Sequence, residues 1–145
     1  MVRVLATGTF EILHPGHLTY LRCAKKLGDE LIVIVARDKM IKHKREPAIP
    51  EQQRLEIVQS LSIVDRAILG SERDIFEPLY EIKPDIIALG YDQCFDVDEL
   101  LSQLHKRGLE AKVVRIKESH PGKLCSCSNI VEQITKSIRK DKESH

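Results

Sequence analysis

Apolar and polar residues are arranged along this chain on two alternating scales. Short apolar runs, partly β-branched, are separated by longer stretches in which apolar residues recur three and four positions apart. The short runs predict five strands, at residues 2–6, 31–36, 67–69, 86–89 and 112–116. Because these runs are apolar on both faces, they are typical of strands buried inside a parallel sheet.

The longer stretches predict helices that begin near Pro15, Pro50, Arg73 and Asp96, and a last helix from Ser128 to about Arg139. Strict alternation of strand and helix predicts the α/β class, as a Rossmann-like open doubly wound five-stranded parallel sheet with helices on both faces. In such a sheet the ligand crevice lies beyond the carboxyl ends of the strands. We expect one domain over residues 1–138 and a charged, frayed tail over 139–145.

Composition narrows the function classes. With 145 residues and 23 Lys and Arg against 22 Asp and Glu, the chain has no overall charge that would favour a long nucleic acid or a membrane surface. No apolar run is long enough to span a bilayer, and no secretion signal is recognisable, so we expect a cytoplasmic protein. The cysteines are expected to be reduced, and the closely spaced pair Cys125 and Cys127 needs a separate interpretation.

The most informative segment, residues 7–17, lies between the first strand and the first helix, where anionic ligands bind in α/β proteins. It contains neither GxGxxG nor a Walker sequence. Instead it has His14-Pro15-Gly16-His17, in which the proline suits a first helical position and two imidazoles can donate hydrogen bonds to phosphate oxygens. Two alternatives remain: half of a zinc site that lacks a third ligand, and a purely structural helix start.

Gly-Thr-Phe followed by His-x-Gly-His resembles the signature of the HxGH nucleotidyltransferase superfamily, whose members include cytidylyltransferases, adenylyltransferases and archaeal FAD synthases. The resemblance implies transfer of a nucleoside monophosphate from a nucleoside triphosphate, with Mg²⁺ or another divalent metal held through the triphosphate rather than by protein side chains. It assigns Thr9 and Phe10 to contacts with the triphosphate. The residues implied to act in catalysis are His14, His17 and Lys44, while Pro15 and Gly16 complete the nucleotide-binding turn.

Further nucleotide-binding residues are implied by the same resemblance. Arg54 matches an arginine of the second helix that could reach the phosphates, although a surface salt bridge is an open alternative. Asp92 matches the family's Gly-x-Asp turn and would bind the ribose or the base, or else act as a structural turn residue. A lengthened loop precedes the last helix, where Ser126 and Ser128 would supply hydroxyl groups and Ser119 would border the nucleotide.

The lengthened loop leaves room for an acceptor larger than glycerol phosphate. The resemblance is strongest to the archaeal FAD synthases, and it implies transfer of AMP from Mg–ATP to FMN, giving FAD and pyrophosphate, in a homodimer by analogy. A cytidylyltransferase acting on glycerol 3-phosphate or another small phosphate is the first alternative. A non-catalytic nucleotide or flavin sensor is the second. For Cys125 and Cys127, packing or capping, redox sensitivity, and an intersubunit metal or cross-link all stay open.

Overall fold

The computed structural model describes residues 1–41, 47–90, 93, 95–118 and 127–143, with only the backbone for 127–129 and 141–143. In this part of the chain five parallel strands form one sheet in the order β3-β2-β1-β4-β5. The strands are β1 (Arg3–Gly8), β2 (Glu30–Val35), β3 (Arg66–Leu69), β4 (Ile86–Leu89) and β5 (Lys112–Arg115). The predicted Rossmann-like, doubly wound α/β fold is confirmed.

Five α-helices connect or follow the strands within the described residues. They are α1 (Pro15–Lys25), α2 (Glu51–Gln59), α3 (Glu77–Ile82), α4 (Val97–Lys106) and α5 (Cys127–Glu143). A 3₁₀ turn, Asp38–Met40, follows β2. Strand order reverses between the central strand β1 and its neighbour β4, which pair from Val4 and Ile86 to Ala6 and Ala88. The point of reversal is where a doubly wound sheet opens its crevice.

Among the described residues, two hydrophobic clusters hold α1, α2, α3 and α4 against opposite faces of the sheet. On one face, Leu21 and Ala24 of α1 and Val58 of α2 pack against β1, β2 and β3. On the other, Leu79 of α3 and Leu104 of α4 pack against β1, β2 and β4. The inner strands β1, β2 and β4 are therefore covered on both sides, which explains their apolar runs.

Two helix boundaries differ from the sequence prediction. Helix α3 begins at Glu77 rather than near Arg73, because the Ser71 hydroxyl and the Asp74 carboxylate accept hydrogen bonds from backbone amides and close turns there. Helix α5 extends to Glu143, beyond the predicted end at Arg139. Its last residues are Lys, Asp and Glu, most of which favour helix even without a packed face. Among the helices described, none is long and apolar enough to cross a membrane.

Candidate active site

The loop after β1 is built into the hydrophobic core. Phe10 is only 3% exposed and adopts a left-handed backbone conformation with φ of 52°. Such a conformation costs on the order of 1–3 kcal/mol outside glycine and persists only where packing holds it. The Phe10 ring lies so close to Gly8 that a Cβ there would come within 2.8 Å of it. Gly8 is thus required by the ring that closes over the end of the strand.

His14 and His17 cap the amino end of α1 reciprocally. The Gly16 amide donates to Nδ1 of His14 at 3.1 Å, and the His14 amide donates to Nδ1 of His17 at 3.4 Å. The two rings stack with centroids 3.8 Å apart, and His17 also packs against Phe10 at 5.1 Å. Because each Nδ1 acts as an acceptor, the hydrogen of each neutral ring lies on Nε2. The site therefore has two Nε2–H donors with fixed ring orientation.

Pro15 occupies the first turn of α1, as predicted, and is exposed. Together with Gly16 it places the first backbone amides of the helix at the carboxyl edge of the sheet. The positive end of the helix dipole favours a bound anion at this position. No group of three or more potential metal ligands occurs among the described residues, so His14 and His17 do not belong to such a cluster there.

Arg54 lies behind this loop and is completely buried. Its Nε donates to the carbonyl oxygen of Ile49, and its Nη1 donates to those of Thr9 and Ala36, at 2.7–2.9 Å. Its Nη2 pairs with the Asp38 carboxylate. The alternative of a surface salt bridge is wrong, because the guanidinium has no exposed surface. Direct contact with phosphate stays a prediction, and the observed contacts give Arg54 a supporting position.

Acidic side chains complete this support, and sequence reasoning missed two of them. Glu51, at the start of α2, accepts from the Asp38 amide at 3.0 Å and pairs with Arg37 at 2.8 Å. These two contacts, with the backbone hydrogen bond as the larger cause, hold the pKa of Glu51 below its usual range. Glu11 is buried and accepts a hydrogen bond from the Ala48 amide. The segments after β1 and β2 are thereby joined to α2.

Tyr20 occupies the point where β1 and β4 separate. Its hydroxyl accepts from the Thr7 amide at 3.2 Å and donates to the Ala88 carbonyl at 2.6 Å. This hydroxyl replaces the next direct hydrogen bond of the ladder. Burial raises the pKa of Tyr20 above its ordinary value. The two strands are therefore held apart at the mouth of the crevice without losing their hydrogen bonds.

The turn after β4 is fastened from two sides. The Gln93 side chain bonds to Thr7 of β1 and to the Gly90 amide. Arg115, at the end of β5, donates to the carbonyl oxygens of Gly90, Gln93 and Phe95. The contacts of Gln93 and Arg115 were not predicted from the sequence.

The remaining predicted residues cannot be compared with this geometry. Lys44, Asp92, Ser119, Cys125 and Ser126 lie outside the described residues. Cys127 and Ser128 lie in the first turn of α5, one residue before and at its predicted start, with only their backbone described. The structure thus brings together Thr9, Phe10, His14, Pro15, Gly16 and His17, with Arg54 behind them.

Known proteins match this chain over nearly its whole length. Residues 5–133 match the family described as cytidylyltransferase-like. A protein named FAD synthase from Archaeoglobus profundus is 58% identical over 96% of this chain and 90% of its own length. Another protein of that name, from Methanosarcina mazei, is 62% identical over 94% and 90%, respectively.

Solved structures show the same fold. A structure titled as a lipopolysaccharide core biosynthesis protein from Thermoplasma volcanium superposes with a TM-score of 0.79 at 51% identity, covering 83% of this chain and 98% of that one. A pantoate-beta-alanine ligase from Francisella tularensis superposes with a TM-score of 0.60 at 18% identity, covering 83% and 60%. The second likeness concerns the fold alone.

Proposed function

The chain belongs to the cytidylyltransferase-like family, and we propose that it is an FAD synthase that transfers AMP from ATP to FMN. The main structural support for this proposal is the pair of stacked imidazoles, which cap α1 near the carboxyl end of β1. Support for FMN as the acceptor comes from archaeal relatives named FAD synthase at 54–62% identity.

The reaction requires alignment rather than a covalent enzyme intermediate. A phosphate oxygen of FMN attacks the α-phosphorus of ATP, a new P–O bond forms, and the bond to pyrophosphate breaks. Both reactants are anions, and negative charge grows on the oxygens around the α-phosphorus. The Nε2–H groups of His14 and His17 donate hydrogen bonds to these oxygens, and the amino end of α1 attracts the same charge.

The other residues of the proposed site act on the ends of the nucleotide. Thr9 and Phe10 contribute the loop that faces the triphosphate, and Lys44 neutralises part of its charge. Asp92 binds the ribose or the base, and Ser119, Ser126 and Ser128 provide polar contacts before and at the start of α5. These assignments are carried over from the family resemblance, and each can be tested by single substitution.

Magnesium enters as part of the Mg–ATP substrate in this proposal. The metal neutralises the triphosphate and leaves His14 and His17 to bind the reacting phosphate. We place the reaction in the cytoplasm, with neither nucleic acid nor membrane as a partner, and in a homodimer by analogy with related enzymes.

The test is a comparison of substrate pairs with the purified chain. Mg–ATP with FMN should yield FAD, resolved by chromatography, and an equal amount of pyrophosphate. CTP with glycerol 3-phosphate is the matched alternative, chosen because cytidylyltransferases share this fold. Pyrophosphate from the second pair and none from the first would overturn the proposal.

A further inference from the structure

Side chains join strands β1 and β4 at the crevice. Direct pairing between β1 and β4 ends at Ala6 and Ala88. Beyond that point the Tyr20 hydroxyl bridges the strands, and the carboxamide of Gln93 forms the next bridge. Gln93 lies in the loop between β4 and α4, so a loop residue continues the sheet where the backbone no longer does.

Both polar atoms of the Gln93 carboxamide are used. Its Nε2 donates to the Thr7 carbonyl oxygen at 3.0 Å, and its Oε1 accepts from the Gly90 amide at 2.8 Å. The Thr7 carbonyl lies at the end of β1, whereas the Gly90 amide lies directly after β4. A carboxamide is suited to this position because it has an N–H donor and an oxygen acceptor on the same carbon.

The backbone of Gln93 is held independently of its side chain. Arg115 donates to the Gln93 carbonyl oxygen at 2.6 Å and to the Gly90 carbonyl oxygen at 2.9 Å. The Gln93 amide also donates to the Gly90 carbonyl oxygen, which closes a turn. Because β5 anchors the backbone and β1 receives the carboxamide, Gln93 links three strands at the carboxyl edge.

We propose that Gln93 is a positioning residue that fixes the separation between the ends of β1 and β4 and so pre-organises the crevice for the nucleoside triphosphate. The inference rests on the proposed function, because it requires a nucleotide in this crevice. It acts through the backbones of Thr7 and Gly90, on either side of the opening. If the crevice already has the right width, no free energy is lost in ordering it when the nucleotide binds.

Two substitutions separate bridging from space filling. Gln93→Leu keeps the approximate volume and removes both hydrogen bonds. Gln93→Glu keeps an acceptor for the Gly90 amide but places a carboxylate oxygen against the Thr7 carbonyl oxygen. If Gln93 only filled space, the uncharged Gln93→Leu would bind ATP as the wild type does, whereas a bridging role predicts weaker binding in both variants.

The chain offers a matched control in Gln59, whose Oε1 accepts a 2.8 Å hydrogen bond from the Ala67 amide of β3. That bond also fastens a side-chain amide to a strand backbone, but on edge strand β3 rather than between β1 and β4. Gln59→Leu should therefore lower thermal stability without changing nucleotide binding. It reports what the loss of such a bond does when it has only a structural role.

The measurement is the Kd for Mg–ATP by titration calorimetry, without acceptor, together with KM and kcat for FAD formation. We expect Gln93→Leu and Gln93→Glu to raise the Kd and KM for ATP about tenfold, with kcat changed less than about threefold. Gln59→Leu should leave all three values unchanged. Wild-type Kd and KM in both Gln93 variants, with only a lower melting temperature, would overturn the inference. A wild-type chain that binds ATP but makes no FAD would count against the proposed function alone.

Discussion

Arg54 donates a hydrogen bond of 2.7 Å to the carbonyl oxygen of Thr9, the residue that precedes the left-handed Phe10. The same guanidinium bonds to Ala36 after β2 and to Ile49 before α2. One buried side chain therefore connects the loop after β1 with two other segments. The shape of that loop depends on a residue far from it in sequence.

Replacing Arg54 should destabilise the protein strongly. Arg54→Ala removes four hydrogen bonds and leaves the Asp38 carboxylate without its buried partner, so we expect a loss of about 3–5 kcal/mol in the free energy of unfolding. Urea denaturation measures the loss, with the exposed Arg66→Ala as control. The control should change stability by less than about 0.5 kcal/mol. A loss below about 1 kcal/mol in Arg54→Ala would contradict the supporting position of this residue.

His17→Ala tests the transfer step. Removing one Nε2–H donor should lower kcat by about 10²–10³ while ATP binding remains measurable by calorimetry. The exposed His105→Ala on α4 is the control and should retain full activity. A wild-type protein with tight ATP binding and no turnover would instead favour a nucleotide sensor.

His14 combines a cap with a proposed donor, and the two roles can be separated. Asparagine is also a good helix cap, because its side-chain oxygen can accept a hydrogen bond from an amide of the first turn. The free energy of unfolding of His14→Asn should therefore lie within about 1 kcal/mol of the wild-type value. Its kcat should nevertheless fall by a factor of about 10²–10³. Retention of activity in this variant would show that His14 acts only as a cap.

Tyr20 predicts how stability depends on alkaline pH. Since burial raises the pKa of Tyr20 in the folded chain, the unfolded chain loses this proton first as pH rises above about 10. The folded state then binds more protons than the unfolded state, so stability falls with increasing pH. Tyr20→Phe lacks this group, so the difference between its free energy of unfolding and that of the wild type should become smaller above about pH 10. Urea denaturation across pH 8–11 measures the difference. Tyr80→Phe, at an exposed position, should follow the wild-type slope.

Glu51 predicts the behaviour in acid. Because its pKa is lowered in the folded chain, the unfolded chain takes up this proton first as pH falls below 4.5. The stabilisation is thus present above that pH and disappears as pH falls through the folded pKa. Glu51→Gln should have a flatter stability profile below pH 4.5 than wild type. The exposed Glu81→Gln should not flatten it, and equal slopes in all three proteins would contradict the assigned contacts.

Sequence patterns predicted the sheet because its strands are buried on both faces and need continuous apolar runs. They also predicted the start of α1, since Pro15 and the flanking histidines have strong local preferences. The burial of Arg54 had no comparable signal in the sequence. The polar residues 51–54 are typical of an exposed helix surface, and the atoms that accept hydrogen bonds from Arg54 belong to separate loops. The Gln93 bridge was invisible for the same reason, because it joins residues 86 positions apart.

Phe10 links the loop after β1 to the packing of α1 and β2, since its ring belongs to the same hydrophobic cluster as Leu21 and Val33. The loop cannot keep its conformation if that cluster loosens. Thermal inactivation of the enzyme and melting of the sheet should therefore occur as one event rather than in sequence. A substitution that leaves a cavity in this core should therefore lower catalytic activity even when it lies far from the substrates.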